Sequence, residues 1–128
     1  MPHADIVRRE RDRRQTLAFG WAQDVFGHAK ATNRETRAMR FLEEAIELAQ
    51  TQGISLEQVE TVARDVMSRP VGKTAQEIGG VMTTLLTLAE NVGLSVDQCE
   101  FDELQRVLAE DPEVFRAKQK DKAARGLT

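Results

Sequence analysis

The chain has one cysteine, Cys99, two histidines and no tyrosine, and only 5% of its 128 residues are aromatic. A single thiol excludes an internal disulfide framework and a cysteine-rich zinc site, and two imidazoles leave little for a histidine-based one. Any bound metal would have to be held by oxygen. With 3 prolines, 8 glycines and few aromatics set against abundant Ala, Glu, Leu, Arg, Gln and Thr, the composition favours helix over sheet. No stretch approaches the 18 or so uninterrupted apolar residues of a membrane span, and Met1-Pro2-His3-Ala4-Asp5 runs straight into charge. The expectation is a cytoplasmic protein with no membrane partner. A net charge of −3 argues against a surface devoted to nucleic acid, and the Arg-rich start around Arg8, Arg9 and Arg11 is interleaved with Glu10 and Asp12.

At this length, with 41% hydrophobic residues, residues 1–128 are read as one all-α domain. Caps and apolar periodicity divide it into five helical segments. The first runs from about Asp5 to Phe26, with Leu17, Trp21 and Val25 four apart. Asn33 can cap the second, whose stripe of Leu42, Ala45, Ile46 and Ala49 ends at Gly53. Ser55 with Gln58 forms a capping box for the third, which Pro70 stops. The fourth, about Thr74 to Val92, is apolar over well over half its circumference and is expected to be central and buried. Gly93 ends it, and Ser95 with Gln98 boxes the fifth. Asp111-Pro112 restarts a short helix before a basic tail over about 116–128.

Chemistry concentrates on two of these helices. At 100° per residue Arg40, Glu43, Glu44 and Glu47 share roughly 100° of arc opposite the Leu42/Ile46 stripe. On a solvated face such carboxylates repel by only about 0.2–0.5 kcal/mol and need no cation. Turned into a cleft, two of them about 5 Å apart would repel by roughly 3 kcal/mol, and a divalent ion becomes the remedy. Both readings stand on spacing alone. The fourth helix keeps its polar residues on one strip, Lys73, Gln76, Glu77, Thr83, Thr84, Thr87 and Asn91, while Gly79 and Gly80 beside Glu77 open space for a helix or a ligand.

The run Arg40-Phe41-Leu42-Glu43-Glu44-Ala45-Ile46-Glu47-Leu48, followed by Gln76-Glu77-Ile78-Gly79-Gly80-Val81-Met82, resembles the two signature helices of the MazG-like, all-α nucleoside triphosphate pyrophosphohydrolases. The likeness covers about Trp21 to Gly93. It implies a MazG-like antiparallel bundle of four to five helices whose site is completed by oligomerisation, as a homodimer or homotetramer. It implies magnesium or manganese held by Glu44, Glu47 and Glu77, with Glu43 as base, and cleavage of a (d)NTP to monophosphate and pyrophosphate. Gly80 stands where the family pattern places Asp, so one expected ligand is missing. Together with the Arg69-Pro70-Val71-Gly72 loop it is similar to a phage and prophage branch that adjusts a dNTP pool such as dGTP or dUTP. Arg40, Lys73, Lys118, Lys122 and Arg125 are then candidates for the phosphates, and Trp21 and Asn91 for the base. The alternative is a catalytically weak or inactive MazG-like module that binds a nucleotide or a partner.

Overall fold

The computed structural model describes residues 2–128, and these form seven helices and no strand: α1 (Pro2–Phe26), α2 (His28–Ala31), α3 (Arg34–Thr51), α4 (Leu56–Met67), α5 (Thr74–Val92), α6 (Val96–Ala109) and α7 (Pro112–Ala124). Most boundaries follow local chemistry. Asn33 Oδ1 accepts from the Thr36 backbone N–H at 2.9 Å at the start of α3. At α4 the capping box is complete, Gln58 N–H donating to Ser55 Oγ while the Gln58 side chain accepts from the Ser55 N–H. Gly93, at φ 76°, closes α5 in the left-handed region that a side chain resists. At α6 only half of the expected box forms, because the Gln98 amide donates to Asp102 Oδ1 at 2.8 Å instead of turning back.

Two differences from the sequence expectation concern length and number. Gly27, at φ 84°, breaks the chain after α1, and His28–Ala31 then makes one helical turn where a connector is expected. Four residues are too few to display a period. Helix α7 continues to Ala124, so most of the basic stretch expected as a tail is helical. The pairs Glu113–Arg116 and Asp121–Arg125 sit three and four residues apart along it, the spacing at which opposite charges support a helix.

The chain divides into two units, Met1–Ala45 with Leu108–Thr128, and Ile46–Val107. In the first, α1 packs against α2 and α7. Ala22, Val25 and Ala31 are buried there, and Trp21 meets Phe26 and Phe115 edge to face at centroid distances of 5.8 and 5.1 Å. Each such contact is worth about 0.5–1.5 kcal/mol beyond area burial. Arg116 ties α7 to the end of α1, its Nε donating to the Val25 carbonyl at 2.7 Å.

In the second unit α4, α5 and α6 do not pack against one another along their lengths. No residue of α5 is buried, and Ile78 and Leu86 are 61% and 53% exposed. The central, buried α5 expected from its apolar circumference is therefore not what the single chain forms. Periodicity reports that a face wants cover, and it does not say that the same chain supplies it.

Candidate functional site

Helix α3 presents the acidic face. Arg40 reaches both Glu43 and Glu44, through Nη1 to Glu43 Oε2 and through Nη2 to Glu44 Oε1 at 3.2 Å, which places all three on one side. Lys122 of α7 donates to the other Glu43 oxygen at 2.9 Å. Both oxygens of Glu43 are thus occupied by cations, and Lys122 is only 17% exposed. The hydrogen bond from Lys122, followed by the hydrogen bond and charge of Arg40, outweighs partial burial and holds the Glu43 carboxyl below the ordinary glutamate range.

Glu44 is 65% exposed, and Glu47, one turn further along α3, is exposed with no hydrogen bond or ion pair among the described residues. Glu77 lies in the first turn of α5, where a negative charge is favoured by the helix dipole. Its carboxylate folds over Gly72 and fills the space that a Cβ there would need. The exposed side chain has water for its charge. Gly79 and Gly80 have nothing within 4 Å of an added Cβ, so contacts within the chain do not require glycine at either position. The polar strip of α5 is partly self-satisfied: the hydroxyls of Thr83, Thr84 and Thr87 donate to carbonyls of their own helix.

Among the described residues, no group of three or more His, Cys, Asp or Glu side chains is gathered as metal ligands. Glu44 and Glu47 supply hard oxygen donors one turn apart. That set fits magnesium, which binds through one or two carboxylates and takes its remaining ligands from water and substrate phosphates. It does not make a protein-only cage.

The remaining candidates are scattered over several settings. Lys73 is the N-cap residue of α5, with no side-chain cap bond, and Asn91 is exposed near that helix's end. Lys118 stands 6.0 Å from the Phe115 centroid, and Arg125 pairs with Asp121 at 3.0 Å. Trp21 is engaged by Phe26 and Phe115 on the packed side of α1.

Two features escape sequence reading. The Glu43–Lys122 pair joins residues 79 positions apart, and no local pattern encodes it. Arg37 lies 5.4 Å over the Phe26 ring, with Nε and Nη2 shut off from solvent and without an acceptor among the described residues. Burial, and then the neighbouring Arg40 charge, lower its pKa. Its place beside the acidic face on α3 is the only sequence signal that could have drawn attention to it. Comparison with family models, with curated proteins and with solved structures finds no match for this chain.

Proposed function

We propose that the chain is a metal-dependent nucleoside triphosphate pyrophosphohydrolase of MazG-like type, cytoplasmic and active as a homodimer or homotetramer. The observation that carries this reading is the face of α3, where Arg40, Glu43 and Glu44 are held together and Glu47, one turn on, has no partner among the described residues. The resemblance of residues 40–48 and 76–82 to the two signature helices adds the substrate class.

On this reading Glu44 and Glu47 would hold magnesium or manganese, with Glu77 as the further ligand that the resemblance implies, and a bound ion would supply neutralisation of charge on the phosphates. Arg40 pairs with both neighbouring carboxylates, Glu43 and Glu44. Glu43 and Lys122 have linked roles. While paired to Lys122, Glu43 is a weak base; a triphosphate that draws the lysine away restores its basicity beside the attacking water. The water oxygen then bonds to the α-phosphorus as its proton passes to Glu43, the bond from that phosphorus to the α,β-bridging oxygen breaks, and the monophosphate and pyrophosphate leave. Tying the base to a phosphate-seeking lysine limits idle activation of water.

A second reading, a binding module without turnover, is favoured by Gly80, by the doubly paired Glu43 and by the lack of a gathered three-acid group among the described residues. Pyrophosphate release from each standard dNTP and NTP, and from dUTP, with magnesium or manganese, separates the two. The enzyme reading expects release from a deoxynucleotide such as dGTP or dUTP, reduced at least about 100-fold in Glu44→Gln. Absence of release from every nucleotide, with binding retained, establishes the module.

A further inference from the structure

A cleft of about 610 Å³ lies within the first unit, and none of Glu43, Glu44 and Glu47 is among its lining residues. Phe26, Lys30, Thr36, Arg116, Gln119 and Lys120 are among its lining residues, contributed by the end of α1, by α2, by the first turn of α3 and by α7. Its volume falls within the ordinary range of small-molecule sites, about 300–1,000 Å³. Every charged side chain among its lining residues is a cation: Lys30, Arg116 and Lys120.

The three cations are not equivalent. Arg116 is committed to the scaffold: it donates to the backbone carbonyls of Val25 and Asp24 and pairs with Glu113, which offsets its charge. Lys30 and Lys120 make no side-chain hydrogen bond or ion pair among the described residues. Both are exposed, one on α2 and one on α7, and no acidic side chain among the described residues pairs with either. Gln119, 7% exposed, donates to the Thr128 hydroxyl at 3.0 Å and stiffens the wall beside Lys120. The start of α3 contributes no free amide from Thr36, because Asn33 already accepts from that N–H. Anion attraction here therefore rests on the lysines.

Against these charges stands an apolar surface from Phe26, Val25 and Ala123. A purely inorganic anion would leave that surface wet. From this pairing of charge and apolar wall, we infer that the cleft binds a small organic phosphate, with Lys30 and Lys120 on the phosphoryl oxygens and the organic body against Phe26. The inference is independent of the α3 carboxylates and of any metal.

Isothermal titration of the full chain with phenyl phosphate and with inorganic phosphate, in buffer containing EDTA, tests it. Phenyl phosphate should bind saturably and at least several-fold more tightly than inorganic phosphate, and the Trp21 indole resonance should move, since that ring contacts Phe26. The double variant Lys30→Gln/Lys120→Gln should weaken phenyl phosphate at least tenfold. A charge-matched control, Arg64→Gln/Arg69→Gln in the second unit, should bind as the parent does, with circular dichroism confirming that both variants are folded. No saturable binding, equal affinity for the two probes, or equal weakening in the control would each overturn the assignment. Because no metal is present, a failed pyrophosphate assay has no bearing on the outcome.

Discussion

Glu43 holds two positive charges at once, and that arrangement has a pH signature. Its carboxyl is held below the ordinary value near 4.5, first by the Lys122 hydrogen bond and then by Arg40. A depressed carboxyl contributes stability that is present above the unfolded-state value and is lost as pH falls through the folded-state value. Glu43→Gln and Lys122→Gln should therefore each cost about 1 kcal/mol near neutral pH, the scale of a partly exposed charged pair. The gap between parent and Glu43→Gln should close on acidification below about pH 4, as read by urea unfolding at a series of pH values. A double-mutant cycle should return most of that energy as coupling between the two residues. Spacing identified both residues separately, one for the acidic face and one for the basic stretch. That they meet depends on how α3 and α7 come together, and a contact across 79 residues leaves no mark on local sequence.

At the level of elements, short-range chemistry was largely legible. Asn33, Ser55, Gly93 and Asp111 all act at the helix ends where their residue types predict caps. Ser55→Ala should lower stability by about 1 kcal/mol through loss of the α4 box. Gly20, inside α1 with nothing within 4 Å of an added Cβ, offers the opposite test: Gly20→Ala should raise stability by about 0.5–1 kcal/mol. Thermal unfolding followed by circular dichroism reads both signs. What was not legible is equally specific. Helix α2 is too short for periodicity, and the Gln98 side chain donates to Asp102, one turn further along α6, and does not complete its box.

For the whole molecule, the apolar faces of the second unit set the question. Leu56, Val62 and Met67 of α4 are 74%, 61% and 85% exposed, and Ile78 and Leu86 of α5 are more than half exposed. Large apolar side chains exposed in this number on two helices call for cover. A second copy of the chain is the occupant that the proposed enzyme requires. Light scattering coupled to size exclusion should accordingly give two or four times the 14.4 kDa chain mass. Leu86→Glu should shift the population toward monomer by placing a charge in the proposed seam. A parent that runs as a monomer would remove the oligomeric part of the proposal. Among the described residues no helix is long and apolar enough to cross a membrane, so these faces are not spans.

The sequence by itself determined that the chain is helical, where most helices start and stop, and that three glutamates and an arginine share one face of α3. Those properties depend on neighbours within about four residues, through capping, propensity and the 3.6-residue period. Only the tertiary structure decided that Glu43 is tied to Lys122, that Trp21 packs between Phe26 and Phe115, and that Lys30 and Lys120 line one cleft. It also decided that α5 lies uncovered in the single chain. Each of these depends on which faces meet, and an apolar stripe specifies burial without naming the surface that provides it.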